Sequence, residues 1–170
     1  MNIGQGEDDS TLELLVEAVR RFAREQLVPA EEAVEESEEV PERLLQGMRE
    51  LGLYGITTPQ DYGGLGLSVY EEVRLIFEIA WASPVFRARF GTTNGVGTLG
   101  LVRGGTEAQR QRYLPRIARG DLVASFCLTE PDAGSDAASL ITRAVRDGDC
   151  YVINGTKRYI TNAIHAGLFT

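Results

Sequence analysis

The chain contains 170 residues, of which 43% are hydrophobic, so it is long and apolar enough to bury the core of an ordinary globular domain. This composition excludes a generally disordered chain. The formal net charge of −8 disfavours nucleic acid or an anionic membrane as the main partner, because an acidic surface repels both.

The first ten residues are acidic and carry no apolar run, unlike a secretory signal or an arginine-rich transit peptide. No stretch of the sequence approaches the roughly 20 consecutive apolar residues that cross a bilayer. We therefore expect a cytoplasmic protein with no membrane partner. The two cysteines, Cys127 and Cys150, and the single histidine, His165, match no metal-ligand or redox spacing, which predicts reduced thiols and no metal site.

Two helices and a loop are predicted in the first 67 residues. The S-x-x-E pattern at residues 10–13 is a capping box and predicts the start of an amphipathic helix. Its apolar positions are Leu12, Leu15, Val19 and Phe22.

Residues 31–39 hold six glutamates and predict a solvated helix end or loop. A second helix is predicted from Pro41 to the stop at Gly52, with a buried face of Leu44, Leu45, Met48 and Leu51. Residues 53–67 are dense in glycine and predict an ordered loop, without the fingerprint of a phosphate-binding loop.

Further helices are predicted up to Gly120. A second capping box, at residues 68–71, opens a helix. The face predicted to enter the core consists of Val69, Val73, Ile76, Phe77 and Ala80. The apolar segment 84–101 has a small or polar centre at Asn94, Gly95 and Gly97, which either helix packing or a ligand explains. A third capping box, at residues 106–109, precedes a short helix over residues 110–119 that Gly120 closes.

After Gly120 the apolar period changes to that of strands. Residues 123–128 and 140–146 are strand candidates, the latter leading to a turn at residues 147–149. Residues 150–153 lead to Asn154-Gly155, which predicts a hairpin with residues 156–161 as the returning strand. Residues 166–170 resemble the start of another strand, which has no predicted partner. The order predicts an α+β chain: an all-helical domain, residues 1–121, followed by an incomplete antiparallel β-domain, residues 122–170.

Two stretches carry the residues suited to a ligand. In residues 127–136, Gly134 allows a close approach to the backbone, and Thr129 and Ser135 offer hydroxyls; a simple turn at a strand end is the alternative interpretation. In residues 157–162, period 2 places Tyr159 and Thr161 on the same face, which suits a flat heteroaromatic ligand or an ordinary cross-strand pair.

The two stretches together resemble the acyl-CoA dehydrogenase family. TEPDAGSD followed by INGTKRYITNA is similar to the family's two flavin-contacting signatures, and GLYGITTPQDYGGLGL and GTEAQRQRYLPRIARGD resemble its N-terminal helical landmarks. The resemblance implies non-covalent FAD and α,β-dehydrogenation of an acyl-CoA. It implies that FAD is contacted by Phe126, Leu128, Thr129, Gly134, Ser135, Tyr159, Ile160 and Thr161. Ser135 would also lie beside the acyl-CoA. Tyr159 replaces a common tryptophan and Phe126 a frequent tyrosine, so a phenol hydroxyl is lost at one position and gained at the other.

The resemblance also implies what the chain lacks. The family's glutamate base follows the middle domain, so no catalytic residue is assigned here, and the chain alone is expected to be inactive; Glu130 and Asp136 are expected to cap and hydrogen-bond around the turn. An electron-transfer flavoprotein is the implied electron acceptor, and a homotetramer the implied assembly of a complete protein. Two alternatives stay open: a non-catalytic subunit or interaction module of a split flavoprotein, and a flavin oxidase or hydroxylase of the same superfamily.

Overall fold

A computed structural model describes residues 7–170, with side chains from Ser10 onward. Helices occupy the first part of this range and short strands the last part. The helices are α1 (Glu7–Phe22), α2 (Glu31–Ser37), α3 (Glu42–Glu50), α4 (Val69–Ile79), α5 (Pro84–Gly91), α6 (Val96–Gly104) and α7 (Glu107–Ala118). The strands are β1 (Val123–Ser125), β2 (Arg143–Asp147), β3 (Cys150–Asn154) and β4 (Ala166–Phe169). The α+β class predicted from the sequence is confirmed.

The first helix begins earlier than its capping-box pattern predicted. Ser10 lies inside α1, which extends back to Glu7, so the predicted start at residues 10–13 was wrong. Phe22 and two of the other predicted apolar positions, Leu12 and Val19, are buried, whereas Leu15 is half-buried. A π-helical turn, Ala23–Leu27, and a 3₁₀ turn, Val28–Ala30, then connect α1 to α2.

The next helix and loop follow the sequence closely. Pro41 caps α3, and Gly52, with a φ of 70°, follows its end in a left-handed conformation that glycine adopts without strain. Leu44, Leu45 and Met48 are buried in the main apolar core, whereas Leu51, also predicted on the buried face, is half-buried. The loop between α3 and α4 contains two 3₁₀ turns, Leu53–Gly55 and Gln60–Tyr62, and backbone hydrogen bonds close it, as predicted.

Helix α4 begins with the predicted capping box but buries a different face. Ser68 accepts from the amide of Glu71, and the Glu71 carboxylate accepts from the amide of Ser68. The predicted core face was wrong, because Val69 and Phe77 are 74% and 70% exposed. The same face also exposes Val73 and Ala80 and half-buries Ile76.

The face of α4 that enters the core carries Leu75 and Ile79. It packs on α1 beside the ion pair between Arg20 and Glu78, whose closest oxygen-nitrogen distance is 3.0 Å. Helical spacing identifies apolar stripes, and α4 has two, so spacing alone does not determine which one a neighbouring helix covers.

Packing explains the small and polar centre of segment 84–101. Buried Asn94 donates to the carbonyls of Leu53 and Phe90. A Cβ at Gly97 would overlap the carbonyl oxygen of Thr92 and lie 3.0 Å from that of Ala124, so glycine allows α6 to approach β1. Helix α7 then starts at the predicted capping box, where Thr106 accepts from the amide of Gln109.

The strands form two separate pairs. β2 and β3 are antiparallel, with a turn at Gly148 as predicted, whereas β1 and β4 pair in parallel. Residues 166–170, predicted to have no partner, therefore do have one. The antiparallel description applies only to the β2–β3 pair.

The predicted hairpin at Asn154-Gly155 was wrong. β3 runs to Asn154, which pairs with Arg143, and residues 156–160 form no strand. Gly155 lies against Thr142, where a Cβ would overlap the threonine hydroxyl oxygen. β2 pairs with one edge of β3, and the chain after Gly155 does not return along the other edge but crosses to the segment after β1, where the amide of Arg158 donates to the carbonyl of Thr129.

Candidate functional site

A cleft of about 240 Å³ lies where the segment after β1 meets the segment after β3. It is lined by Thr92, Val96, Phe126, Leu128, Thr129, Tyr159, Ile160 and Thr161. Six of the eight predicted cofactor-binding residues are therefore brought together. The other two, Gly134 and Ser135, lie in the exposed turn beyond Ala133 and do not line this cleft.

The turn at residues 130–136 is closed by its own backbone. The amide of Glu130 donates to the carbonyl of Ala133 at 2.9 Å, and Ala133 is buried. A Cβ at Gly134 would meet no atom within 4 Å, so the fold itself leaves open space there. Gly134 is exposed, and the ligand contact assigned to it stays a prediction.

The wall that carries Tyr159 is an irregular segment. Tyr159 and Asn162 have φ values of 58° and 61°, so the period-2 argument for Tyr159 and Thr161 does not apply to them. Tyr159 and Thr161 nevertheless both line the cleft. Tyr159 is 78% exposed, and the guanidinium of Arg158 lies 4.6 Å from its ring centroid.

The side chain of Asn162 connects this wall to the helical part by hydrogen bonds. Its side-chain amide donates to the carbonyl of Ala88 at 2.7 Å and to the hydroxyl of Thr92 at 2.9 Å. The hydroxyl of Ser125 donates to the carbonyl of Thr161 at 2.7 Å. These contacts hold an otherwise strained segment beside the end of α5.

Thr92 and Val96 were missed by the sequence reasoning. They lie at the junction of α5 and α6, about 30 residues before the first motif. The sequence analysis explained the small centre of that segment by either helix packing or a ligand and did not decide between the two. Thr92, Val96 and Thr161 also line an adjoining depression of about 460 Å³, together with Gly95. The small centre of segment 84–101 thus borders a cavity on one side and packs against β1 on the other.

Buried Glu130 and half-buried Lys157 form an ion pair behind the cleft. The carboxylate of Glu130 accepts from the ammonium of Lys157 at 2.8 Å and from the amides of Ile141 and Thr142 at 2.8 and 3.0 Å. The hydrogen bond from Lys157, followed by those from Thr142 and Ile141, lowers the pKa of Glu130 from 4.5 to about 2. Glu130 is therefore ionised near neutral pH and hydrogen-bonds around the turn, as expected; Asp136 does likewise by accepting from the hydroxyl of Ser139 at 2.6 Å.

The side chains of the two cysteines and of His165 do not line this cleft. Cys127 and Cys150 are free thiols, and burial raises the pKa of Cys127. His165 borders a separate cavity on the side of α3 and α7. Between residues 7 and 170, no cluster of three or more histidine, cysteine or acidic side chains is placed to hold a metal ion. Across the same residues, no helix combines the length and apolarity needed to cross a membrane.

The described residues form a helical part and a β-part that meet near this cleft, and comparisons with known proteins identify the family. The family model described as "Acyl-CoA dehydrogenase, N-terminal domain" matches residues 9–121, and that described as "Acyl-CoA dehydrogenase, middle domain" matches residues 125–170. The chain belongs to the acyl-CoA dehydrogenase family.

Curated relatives and solved structures agree with this family. The chain is 39% identical to an acyl-CoA dehydrogenase of Bacillus subtilis (strain 168), over 89% of this chain and 40% of the relative. It is 40% identical to the human very long-chain specific acyl-CoA dehydrogenase, over 96% of this chain and 25% of the relative. A glutaryl-CoA dehydrogenase from Mycobacterium smegmatis, solved in complex with FADH2, superimposes with a TM-score of 0.87 at 33% identity, covering 97% of this chain and 42% of the other. The chain thus spans less than half the length of these proteins.

Proposed function

We propose that this chain is a portion of an FAD-dependent acyl-CoA dehydrogenase that converts an acyl-CoA thioester to the trans-2-enoyl-CoA. One observation carries the proposal: two segments about 30 residues apart in sequence meet at a single cleft lined by six of the residues that the family resemblance assigned to FAD. Family membership supports the same assignment, and the relative from Mycobacterium smegmatis was solved with the reduced cofactor.

The residues that line the cleft fit the flavin ring system. Phe126 and Tyr159 provide aromatic surface, and the hydroxyls of Thr129 and Thr161 can donate to or accept from the polar edges of a flat heterocycle. The free space at Gly134 leaves room for a ligand along the turn. The donor set and the shape therefore suit a ligand that is apolar on its faces and polar at its rim.

The chemistry that FAD supplies when bound is acceptance of the hydride that leaves the β-carbon of the substrate. The proposed task of Thr129 and Thr161 is to hold fixed hydroxyl dipoles at the ring edges, where negative charge arrives on reduction. Ser135, in the exposed turn, is proposed to contact the acyl-CoA as well as the cofactor.

The carboxylate of Glu130 does not suit the role of the base. Glu130 is engaged by Lys157 and two backbone amides, and with a pKa of about 2 it is a poor proton acceptor near neutral pH. We therefore propose that the base comes from outside these residues and that the chain alone does not turn over. An electron-transfer flavoprotein as acceptor, a homotetrameric complete protein and a cytoplasmic location are parts of the same proposal.

Flavin retention tests the proposal. The purified chain is mixed with FAD, desalted and examined by absorption and fluorescence, with Tyr159→Ala together with Thr161→Ala as a cleft variant and Asp132→Asn, an exposed residue of the turn, as the control. We expect retained flavin bands in the wild type and the control and their loss in the cleft variant. Equal retention by the cleft variant would contradict the assignment of the cleft.

The reduced complex separates the dehydrogenase from its main alternative. After photoreduction, the reduced flavin of a dehydrogenase is expected to be re-oxidised slowly by air and rapidly by an artificial electron acceptor. Rapid re-oxidation in air alone would favour the flavin oxidase or hydroxylase of the same superfamily.

A further inference from the structure

Behind the cleft, its two walls are joined by the ion pair between buried Glu130 and half-buried Lys157. Thr129 lies on the wall that follows β1, and Tyr159 on the wall that follows β3. Glu130 comes directly after Thr129, and Lys157 comes two residues before Tyr159. The side chain of Glu130 is 1% exposed and that of Lys157 is 23% exposed.

The contacts of this pair link four parts of the chain. Lys157 donates to the carboxylate of Glu130 at 2.8 Å and to the carbonyl of Leu128 at 3.0 Å. The carboxylate of Glu130 also accepts from the amides of Ile141 and Thr142, which lead into β2. One carboxylate and one ammonium thus join the strand exit, the turn, the start of the hairpin and the segment after the hairpin.

A single backbone hydrogen bond lies next to this pair and closes the cleft. The amide of Arg158 donates to the carbonyl of Thr129 at 2.8 Å, between the residues on either wall. The neighbouring strands do not provide this link, because β2 and β3 pair only with each other and β1 pairs with β4. The register of the two walls therefore depends on the pair, on this hydrogen bond and on the contact of the Ser125 hydroxyl with the Thr161 carbonyl at one end of the cleft.

A buried charge pair is an expensive way to stabilise a fold, because both ions lose their hydration. It does provide directional contacts that an apolar pair cannot, since a carboxylate accepts several hydrogen bonds at fixed angles and an ammonium donates three. Loss of Lys157 leaves the buried carboxylate of Glu130 without its counter-charge, so this single change should cost more than the removal of both charges together.

We infer that Glu130 and Lys157 are positioning residues of the flavin site, which set the separation and register of the walls that carry Thr129 and Tyr159. The inference rests on the proposed function, because it takes the cleft to be the flavin site. Neither side chain lines the cleft, so both act through the segments that they hold.

The test compares single, double and conservative variants of the chain. Lys157→Gln and Glu130→Gln each break the pair, the double variant removes both charges, and Lys157→Arg retains a charged donor. Asp132→Asn and Arg143→Gln serve as controls, since both residues are exposed and belong to the same turn and hairpin. Far-UV circular dichroism, which reports mainly the helices, identifies any variant that fails to fold.

Two readouts are measured on each variant. The first is the dissociation constant of FAD, from flavin fluorescence quenching. The second is hydrogen exchange of the Arg158, Ile141 and Thr142 amides without FAD, with the β2 and β3 ladder amides as internal reference. We expect each single Gln variant to weaken FAD binding and to speed exchange at Arg158 by at least tenfold, Lys157→Arg to restore most of both, and the double variant to lose less than the two single losses combined.

The two readouts test the proposed function and the positioning role separately. If the wild type does not bind FAD, the cleft of this chain alone is not a flavin site, while the exchange of Arg158 still shows whether the pair positions the walls. If Lys157→Gln and Glu130→Gln fold, keep wild-type exchange at Arg158 and bind FAD as the wild type does, the inference is overturned. If the single variants unfold, the double variant decides: exchange and affinity equal to the wild type would overturn the positioning role.

Discussion

At the scale of single residues, Glu130 shows how a side chain can stabilise the fold without taking part in chemistry. Its carboxylate is buried, ionised and bound by Lys157 and two backbone amides. The pKa of this group is lowered in the folded chain, so its contribution to stability is present above its ordinary pKa and is lost as pH falls through the folded value.

The pH dependence of unfolding tests this view. We expect the wild type to be more stable than Glu130→Gln by a constant margin above about pH 4.5, and the margin to shrink as pH falls from about 4.5 towards 2. Urea unfolding of both proteins at a series of pH values measures it. A margin that stays the same down to pH 2 would mean that the carboxylate is not held as described.

At the scale of elements, the two apolar stripes of α4 make a clear prediction. Leu75→Ala is expected to lower the free energy of unfolding by about 2–5 kcal/mol, because it leaves a cavity against α1. Phe77→Ala, on the exposed stripe, is expected to change it by no more than about 0.5 kcal/mol. Chemical denaturation of the two variants distinguishes the buried stripe observed here from the one that the spacing predicted.

Helix α6 allows a matched comparison of two glycines. Gly97→Ala is expected to destabilise the chain by about 1–3 kcal/mol, because its Cβ would overlap the carbonyl of Thr92 and crowd Ala124. Gly100 is exposed in the same helix, and a methyl group added there would meet no atom within 4 Å, so Gly100→Ala is expected to stabilise by about 0.5–1 kcal/mol. Thermal unfolding of both variants measures the difference, and effects of equal sign would contradict the close approach of α6 to β1.

The elements also show which features the sequence determines locally. The capping boxes at Ser68 and Thr106 were correctly predicted, because both partners of each box lie within one turn. The turn at Gly148 was correct for the same reason. The hairpin prediction at Asn154-Gly155 was wrong because the partner of β3 is β2, which lies before it in the chain. The β1–β4 pair was missed because nothing in the sequence near residue 123 indicates a partner near residue 166. For the site, the motifs predicted six cleft residues, whereas Thr92 and Val96 come from a helical junction remote in sequence.

At the scale of the whole molecule, burial is unevenly distributed. The main apolar core joins α1 to α5, and a smaller cluster of Leu114, Ile117, Leu122 and Ala124 joins α7 to β1. Every residue of β2 and β3 is exposed. None of the six motif residues that line the cleft is fully buried either. The walls of the cleft are therefore held mainly by hydrogen bonds and by the Glu130–Lys157 pair rather than by apolar packing.

Binding of FAD is expected to stabilise the folded chain. If FAD binds the folded chain and not the unfolded one, FAD at about 100 times its dissociation constant is expected to add about 2.7 kcal/mol to the free energy of unfolding. Hydrogen exchange should slow most in residues 126–136 and 156–162. Calorimetry with increasing FAD checks the first expectation, and a melting temperature independent of FAD would contradict it.

The parallel pairing of β1 with β4 also bears on the order in which the chain folds. The paired strands lie about 40 residues apart, so their contact requires closure of a long loop, whereas the helices form from near neighbours. The intervening loop contains both walls of the cleft. Helical structure is therefore expected to return early in refolding and the cleft late, which makes the ability to bind flavin the last property that the chain acquires.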